Sequence, residues 1–435
     1  MELKIRDFGK IHSAEVKWNG LTVIAGKNDT GKSTIGKLFY AIIKTFAKYE
    51  DTYSRVVGSD LFITLLRLLS NILRGENRKI LLQNKDIFST TESIFVKLDE
   101  LFNPPFVSNN LFKIEPSLKK TILETIESLK TVKFTSDLLH DKLDEIYHAL
   151  TVTAPKDNLF KESFRYYMKD SFLRNYNNSL NTKTPAEFEY FFEDTSNLNV
   201  KIENNSIDVK FLDLDKKYPF YKDITLIDFP EIIDERFQHF NESNFNWTDD
   251  LLGKTKLLKS KIGMVPNENL IGERFWEEVL SKSFFYLDKE SNSFKYKVST
   301  NASPLNIINI ASGTKSFGIL YLLIKFGIIT EETPIILDEP ENHLHPEWQI
   351  AYAKFLMFLV KNGFSILLTS HSPTFIQALL KEAIKEKKWE NLYKFYLSEP
   401  LVNIENYTKI KDVTSCPDEI FKNLVRPVEK MWSKD

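Results

Sequence analysis

The chain reads as an α/β protein with a mixed β-sheet and a compact helical insertion lobe. Three observations point there. A short apolar strand, Leu21-Thr22-Val23-Ile24-Ala25, runs into Gly26-Lys27-Asn28-Asp29-Thr30-Gly31-Lys32-Ser33-Thr34, and a helix follows at once. Two further apolar strands, Thr333 to Leu337 and Phe364 to Leu368, end in Asp338-Glu339 and in Thr369-Ser370-His371. Between the loop and these strands lies a long stretch with helical periodicity and neither glycine-loop nor acidic motifs. Strands apolar on both faces belong inside a parallel sheet, where the groups at their carboxyl ends share one edge.

Composition sets the bounds. At 435 residues the chain exceeds what one core serves, so two lobes are expected. A hydrophobic content of 42% and a charged content of 27% fit an ordinary soluble globular protein. The net charge of −2 offers no whole-chain attraction to nucleic acid or membrane, although a local basic patch stays open. The single Cys416 excludes an internal disulfide framework and a Cys-rich zinc site, and suits a reducing, cytoplasmic setting. The N-terminus alternates like a strand and lacks a signal-peptide core. The longest apolar run, Phe317 to Ile329, is interrupted by Lys325 and is too short to span a bilayer, so no membrane association is expected.

The elements follow in order. Residues 1–50 read as β, β, β, glycine loop, helix, with Leu3-Lys4-Ile5 and Ala14 to Trp18 joined through Gly9 and turned at Asn19-Gly20. Residues 51–195 read as a helical insertion, with periodic segments at Leu61 to Leu66, Leu118 to Leu129, Leu138 to Leu150 and Phe160 to Phe172. Asn103-Pro104-Pro105 and Ala154-Pro155 break it, and no heptad pattern runs long enough for a coiled-coil arm. Residues 196–230 return to strands around Asn204-Asn205 and at Ile224 to Ile227, and 231–283 form a second helical insertion. Phe284 to Leu287 and Phe294 to Val298 make a hairpin; Tyr393 to Leu397 reads as an edge strand; Asp418 to Met431 reads as an amphipathic helix. The head is thus assembled from 1–50, 196–230 and 284–435.

The motifs carry chemistry of one kind. A strand, a glycine loop and a helix N-terminus present inward N–H groups and a favourable dipole to a polyphosphate. Lys32 would neutralise the β- and γ-phosphates and the Ser33 hydroxyl would ligate Mg2+. With only 14 glycines in the chain, Gly26 and Gly31 at this spacing argue against a chance turn. Asp338 is placed to meet the same ion, and Glu339 to orient or deprotonate an attacking water. Paired acids ending a buried strand call for a partner cation. His371 could donate a hydrogen bond to the γ-phosphate. Ser312-Gly313-Thr314-Lys315 precedes the helix Phe317 to Lys325, where a second anion site and an ordinary helix cap explain it equally.

In their order, the Gly26–Thr34 loop, Ser312-Gly313-Thr314-Lys315, Asp338-Glu339 and His371 resemble the motifs of ABC-type ATPases. The wording Asp338-Glu339-Pro340-Glu341-Asn342-His343-Leu344-His345-Pro346 and Thr369-Ser370-His371-Ser372-Pro373 looks like their SMC-related, AAA-type branch. That branch includes the ATPases of overcoming-lysogenization-defect nucleases and of Septu-, retron- and PARIS-type anti-phage systems. The resemblance covers residues 1–45 and 300–380 and says little about 50–280. It implies a P-loop ABC-type head and a head-to-tail ATP sandwich, in which Ser312 and Gly313 of one protomer meet the γ-phosphate held by Lys32 of the other. It makes Glu339 the catalytic base, and Asn342 to His345 an interface segment, a role preferred for His343 and His345 over metal ligation. Thr314 departs from the family pattern, which has a second glycine there. For the family's metal-contacting loop glutamine, Gln238 is preferred to Gln83.

The function implied is ATP hydrolysis by a dimeric switch that controls a partner effector, a nuclease or toxin, in prokaryotic anti-phage defence. The stretch after His371 is too short for a fused nuclease domain, so the effector is expected to be a separate protein. The alternative is an SMC-like DNA-binding or repair clamp without a toxin partner, for which Lys119, Lys120, Lys130 and Lys133 could form a stripe. A transporter ATPase fits least.

Overall fold

The computed structural model describes residues 1–102, 116–134, 137–151, 155–172, 184–193, 195–203, 206–211, 221–228, 247–260, 284–288, 290–291, 293–299, 301–386, 389–401 and 407–432. It divides into two units, Met1–Ala47 with Phe164–Asp435, and Lys48–Ser163.

Strands β1 (Glu2–Phe8) and β2 (Ile11–Lys17) form an antiparallel hairpin turned at Gly9, whose φ of +57° suits a residue without a Cβ. Leu3, Ile5, Ala14 and Val16 face the core, and Lys4, Arg6, Glu15 and Lys17 alternate with them. β3 (Leu21–Gly26) is buried at every residue. It enters α1 (Lys32–Ile72), whose backbone leaves helical geometry at Lys48. α2 (Gly75–Leu81), α3 (Lys85–Phe102), α4 (Pro116–Lys130) and α5 (Asp137–Thr151) follow. The Lys48–Ser163 unit has a core of its own, including Leu65, Leu69, Leu98, Ile126 and Leu143. α6 (Lys156–Ser171) leads out of it.

In the first unit, β4 (Ala186–Phe192), β5 (Thr195–Glu203) and β6 (Ser206–Phe211) extend the sheet antiparallel from β1. β7 (Thr225–Ile227) and α7 (Trp247–Ser260) come next. β8 (Phe284–Asp288), β9 (Ser293–Lys297) and β10 (Leu305–Asn306) form a separate antiparallel sheet. α8 (Ser312–Lys325), β11 (Ile335–Asp338), α9 (Pro346–Lys361), β12 (Ile366–Ser370) and α10 (Pro373–Ala383) alternate as βα units do. β13 (Tyr393–Pro400), β14 (Thr408–Asp412) and α11 (Asp418–Trp432) complete the chain.

The main sheet has the order β6-β5-β4-β1-β2-β14-β13-β3-β12-β11-β7. β13, β3, β12, β11 and β7 run parallel. Their apolar side chains pack with α8, α9 and α10 in one core that includes Leu21, Val23, Phe317, Leu320, Tyr352, Phe355 and Leu368. The Phe317 ring sits 4.9 Å from both Tyr352 and Phe355, centroid to centroid.

Several sequence expectations change. The 51–195 stretch is not wholly helical: β4 lies inside it, and its Ala186, Phe188 and Tyr190 are buried in alternation. Tyr393 to Leu397 is no edge strand. β13 lies between β3 and β14, and its Tyr393, Phe395, Tyr396 and Leu397 are buried. Its single lysine, Lys394, suggests a wet face, but pairing partners from opposite ends of the chain cannot be read locally. β14, which completes that pairing, went unread. Of the second insertion 231–283, α7 is the described part. Among the described residues no helix is long and apolar enough to cross a membrane.

Candidate functional site

Adjacent parallel strands align the three motifs. β12 pairs with β3 so that Ser370 faces Ala25, and with β11 so that Thr369 faces Asp338. The glycine loop, the acidic pair and the histidine segment therefore leave the sheet at one edge, where open α/β sheets hold ligands.

The loop is shaped by contacts as well as by glycine. Gly31 has φ +80°, and a Cβ there would stand 2.9 Å from Ile11 Cγ1. A Cβ on Gly26 would stand 2.6 Å from the Ser398 carbonyl oxygen. Thr30 is buried; its hydroxyl donates to the Lys27 carbonyl at 2.8 Å. Its own carbonyl accepts from Ser398 Oγ at 2.7 Å and from Thr408 Oγ1 at 3.0 Å. Lys27, Asn28 and Asp29 are exposed, and Asp29 adopts φ +62° and pairs with Lys10. Thr34 closes the first turn of α1 on Gly31.

Lys32 is 3% exposed, far below what an unpaired lysine adopts. Its ammonium donates to the Lys27 carbonyl at 2.7 Å and stands 3.5 Å from Glu339 Oε1. Ser33 Oγ donates to Asp338 Oδ1 at 2.9 Å, and Thr369 Oγ1 donates to the same oxygen at 2.5 Å. Glu339 adopts φ +48°, a strained conformation for a non-glycine residue. It is held there by its N–H on the Thr369 carbonyl and hydroxyl. Its side chain accepts from Asn342 Nδ2 at 3.1 Å and lies 3.3 Å from His371 Nδ1. Burial pushes the Glu339 carboxyl up, but the Asn342 amide, His371 and Lys32 outweigh it and hold it below its ordinary value. It is therefore ionised at neutral pH.

The turn after Glu339 carries Glu341, which burial raises above the usual carboxylate range despite the donors around it. His343 is exposed at φ +62°, and His345 caps α9 by accepting from the Glu347 N–H. The Ser312–Lys315 segment is the first turn of α8 itself, with Ala311 as N-cap and no side-chain cap bond. A Cβ on Gly313 would meet Leu344 Cγ at 2.5 Å and the Asn342 carbonyl at 2.7 Å. Lys315 is buried with its ammonium on the Ile308 carbonyl. Gln238 lies outside the described residues, and Gln83 is exposed in the Lys48–Ser163 unit.

Residues 21–377 match the model of a family described as "AAA domain, putative AbiEii toxin, Type IV TA system". The chain belongs to that family. Among solved structures this AAA domain is similar to the SMC head domain from Thermotoga maritima, at 10% identity over 95% of this chain and 98% of that one, with a TM-score of 0.40. It is also similar to an SMC head bound to the C-winged helix domain of ScpA (10%, 94% and 96%, 0.38). A third is an Smc head with an extended coiled coil bound to the C-terminal domain of ScpA from Pyrococcus furiosus (10%, 99% and 99%, 0.32).

Sequence reasoning missed Ser398 and Thr408, which brace the loop of this AAA domain from β13 and β14. The available signal was Ser398, a small polar residue directly after the apolar run Phe395-Tyr396-Leu397. It also missed Glu341 and Gln349 as parts of the histidine's surroundings.

Proposed function

We propose that the chain is an ATP-binding and ATP-hydrolysing switch ATPase of the ABC/SMC-like kind. It dimerises head-to-tail and controls a partner effector, a nuclease or toxin, in prokaryotic anti-phage defence, acting in the cytoplasm. One observation carries the reading: Ser33 Oγ lies 2.9 Å from Asp338 Oδ1 while the Lys32 ammonium lies 3.5 Å from Glu339 Oε1. A cation and a hydroxyl from the phosphate loop thus face a metal-type carboxylate and a base-type carboxylate.

In the proposed reaction, the loop N–H groups and Lys32 hold the triphosphate. Glu339, ionised, takes a proton from the water that attacks the γ-phosphorus, and His371 orients the terminal phosphate by hydrogen bonding. Ser33 and Asp338 offer hard oxygen donors side by side, which fits Mg2+. Gln238 is kept as a third contact on the resemblance alone. When bound, the ion neutralises charge on the phosphate oxygens. Ser312, Gly313 and Thr314 would complete the site of a second copy. The family description names a toxin and a toxin–antitoxin system, which supports an effector-linked role.

The test measures mass and ATPase rate together, for wild type and Glu339→Gln, with and without ATP and Mg2+. Glu339→Gln is expected to lose about 100-fold or more in turnover and to accumulate the ATP-bound dimer. Assembly that ignores ATP, with normal turnover in Glu339→Gln, overturns the proposal.

A second reading, a DNA-binding clamp, draws on a groove of about 700 Å³ on the polar side of the sheet. Lys4, Arg6, Lys17, Lys394, Lys409 and Lys411 line it, together with four acidic residues. Salt-sensitive duplex binding that requires ATP would favour it; binding absent at low salt removes it.

A further inference from the structure

Glu341 has no part in the chemistry proposed above, yet it is 2% exposed. A carboxylate this deep must be hydrogen-bonded, and apart from its own backbone N–H its donors belong to one segment. Oε1 accepts from Ser370 Oγ at 2.6 Å, from the His371 N–H at 3.1 Å and from the Ser372 N–H at 3.3 Å. Oε2 has no hydrogen-bond partner among the described residues. The same segment is tied a second time. Ser372 Oγ donates to Gln349 Oε1 at 2.7 Å, and Gln349 Nε2 donates to the Leu344 carbonyl at 3.0 Å. Residues 370–372 are thereby fastened to both ends of the turn 341–344.

We propose that Glu341 is a positioning residue: it clamps the end of β12 so that the His371 imidazole faces Glu339 and the terminal phosphate, and it couples that placement to the 341–344 turn. A role in packing alone explains the arrangement poorly. Burying a carboxylate with one oxygen unsatisfied costs stability, and a well-packed apolar side chain would serve a core better. What the carboxylate adds is direction, since one oxygen fixes three consecutive residues around the histidine. If the histidine segment moves when the terminal phosphate arrives or leaves, the turn must move with it. His371 Nδ1 lies 3.3 Å from Glu339 and 3.9 Å from Glu341, so a small rotation exchanges its carboxylate neighbour.

The inference rests on the ATPase reading, and the experiment separates the two. Wild type, Glu341→Gln and Glu341→Ala are assayed well below each variant's Tm for kcat, KM and Mg·ATP affinity. The imidazole Cε1–H NMR signals of the seven histidines are followed in parallel. His371 is assigned by its loss in His371→Ala. Glu341→Ala is expected to lose roughly 10- to 100-fold in kcat, the range of an outer-sphere orienting residue, with KM and ATP affinity within about threefold of wild type. Its His371 signal should be displaced without nucleotide and no longer respond to a non-hydrolysable Mg·ATP analogue. Glu341→Gln, which keeps an oxygen acceptor, should recover most of the kcat and the response. Should Glu341→Ala not fold, Glu341→Asp, whose shorter side chain withdraws the acceptor from residues 370–372, takes its place in the same readout, with Glu341→Gln still the recovery. Wild-type kcat and an unmoved His371 signal in Glu341→Ala, or in Glu341→Asp in its place, overturn the proposal, as does a parallel fall of affinity and kcat. If wild type itself neither binds nor hydrolyses ATP, the ATPase reading fails; a His371 signal displaced in nucleotide-free Glu341→Ala would still support the clamp, and an unmoved one would sink it too.

Discussion

Lys32 and Glu339 face each other across the mouth of the phosphate loop, 3.5 Å apart. A triphosphate would compete with Glu339 for that ammonium, so ligand arrival frees the carboxylate as it occupies the lysine. This exchange is one reason Glu339→Gln should trap ligand rather than expel it. A second titratable residue speaks to stability. Asp170 is pushed up to about 6 by burial, and its Oδ2 has no hydrogen-bond partner among the described residues. The folded chain holds this proton to about pH 6, whereas the unfolded chain releases it near 4. Folding therefore takes up a proton in that window, and the contribution of Asp170 to stability falls as pH rises through it. Asp170→Asn is expected to flatten the Tm-versus-pH curve between pH 4 and 6 and to add about 1 kcal/mol at pH 7, a figure discounted for the residue's partial exposure. An unchanged pH profile would show the residue to be neutral in this balance.

At the level of elements, the packing of α8 on the turn after β11 ties two motifs together within one chain. The Cβ that Gly313 lacks would land 2.5 Å from Leu344 and 2.7 Å from a backbone carbonyl. Backbone cannot yield as a flexible side chain does, so Gly313→Ala should cost about 2 kcal/mol by overpacking and lower the Tm of the nucleotide-free protein. If Gly313 served only a partner protomer's nucleotide, that Tm would not move. Lys44 and Lys254 show another element-level bond: both are buried, and both pair with Asp223 and Asp250. The pairing joins α1, α7 and the approach to β7. Removing Asp250 alone would leave two buried ammonium groups sharing the single carboxylate of Asp223, which is costly.

For the whole molecule, two units with separate cores predict two unfolding steps. Calorimetry should resolve them, and Mg·ATP should raise only the step that belongs to Met1–Ala47 with Phe164–Asp435. At a hundredfold excess over Kd the expected gain is about 2.7 kcal/mol. A single transition that shifts as one body would contradict independent cores. The extent of the helical unit was only partly legible. Leu118 to Leu129 and Leu138 to Leu150 show their periodicity plainly, and α4 and α5 contain them. The boundaries were not, because β4 has only seven residues and its pairing partner β1 lies more than 180 residues earlier.

The sequence by itself determined the motifs and their order along the chain. Gly26 to Thr34, Asp338-Glu339 and His371 are local patterns, set by what a phosphate loop and the ends of buried strands require of neighbouring residues. It likewise determined β3, β11 and β12, whose uninterrupted apolar runs leave one kind of place to go. Only the tertiary structure decided that β13 is interior, that Ser398 and Thr408 brace Thr30, and that Glu341 turns back to hold the residues around His371. Each of these is a pairing between segments tens to hundreds of residues apart. Local propensity and periodicity act over a few residues, whereas such pairings are chosen by which faces the folded sheet leaves to be covered.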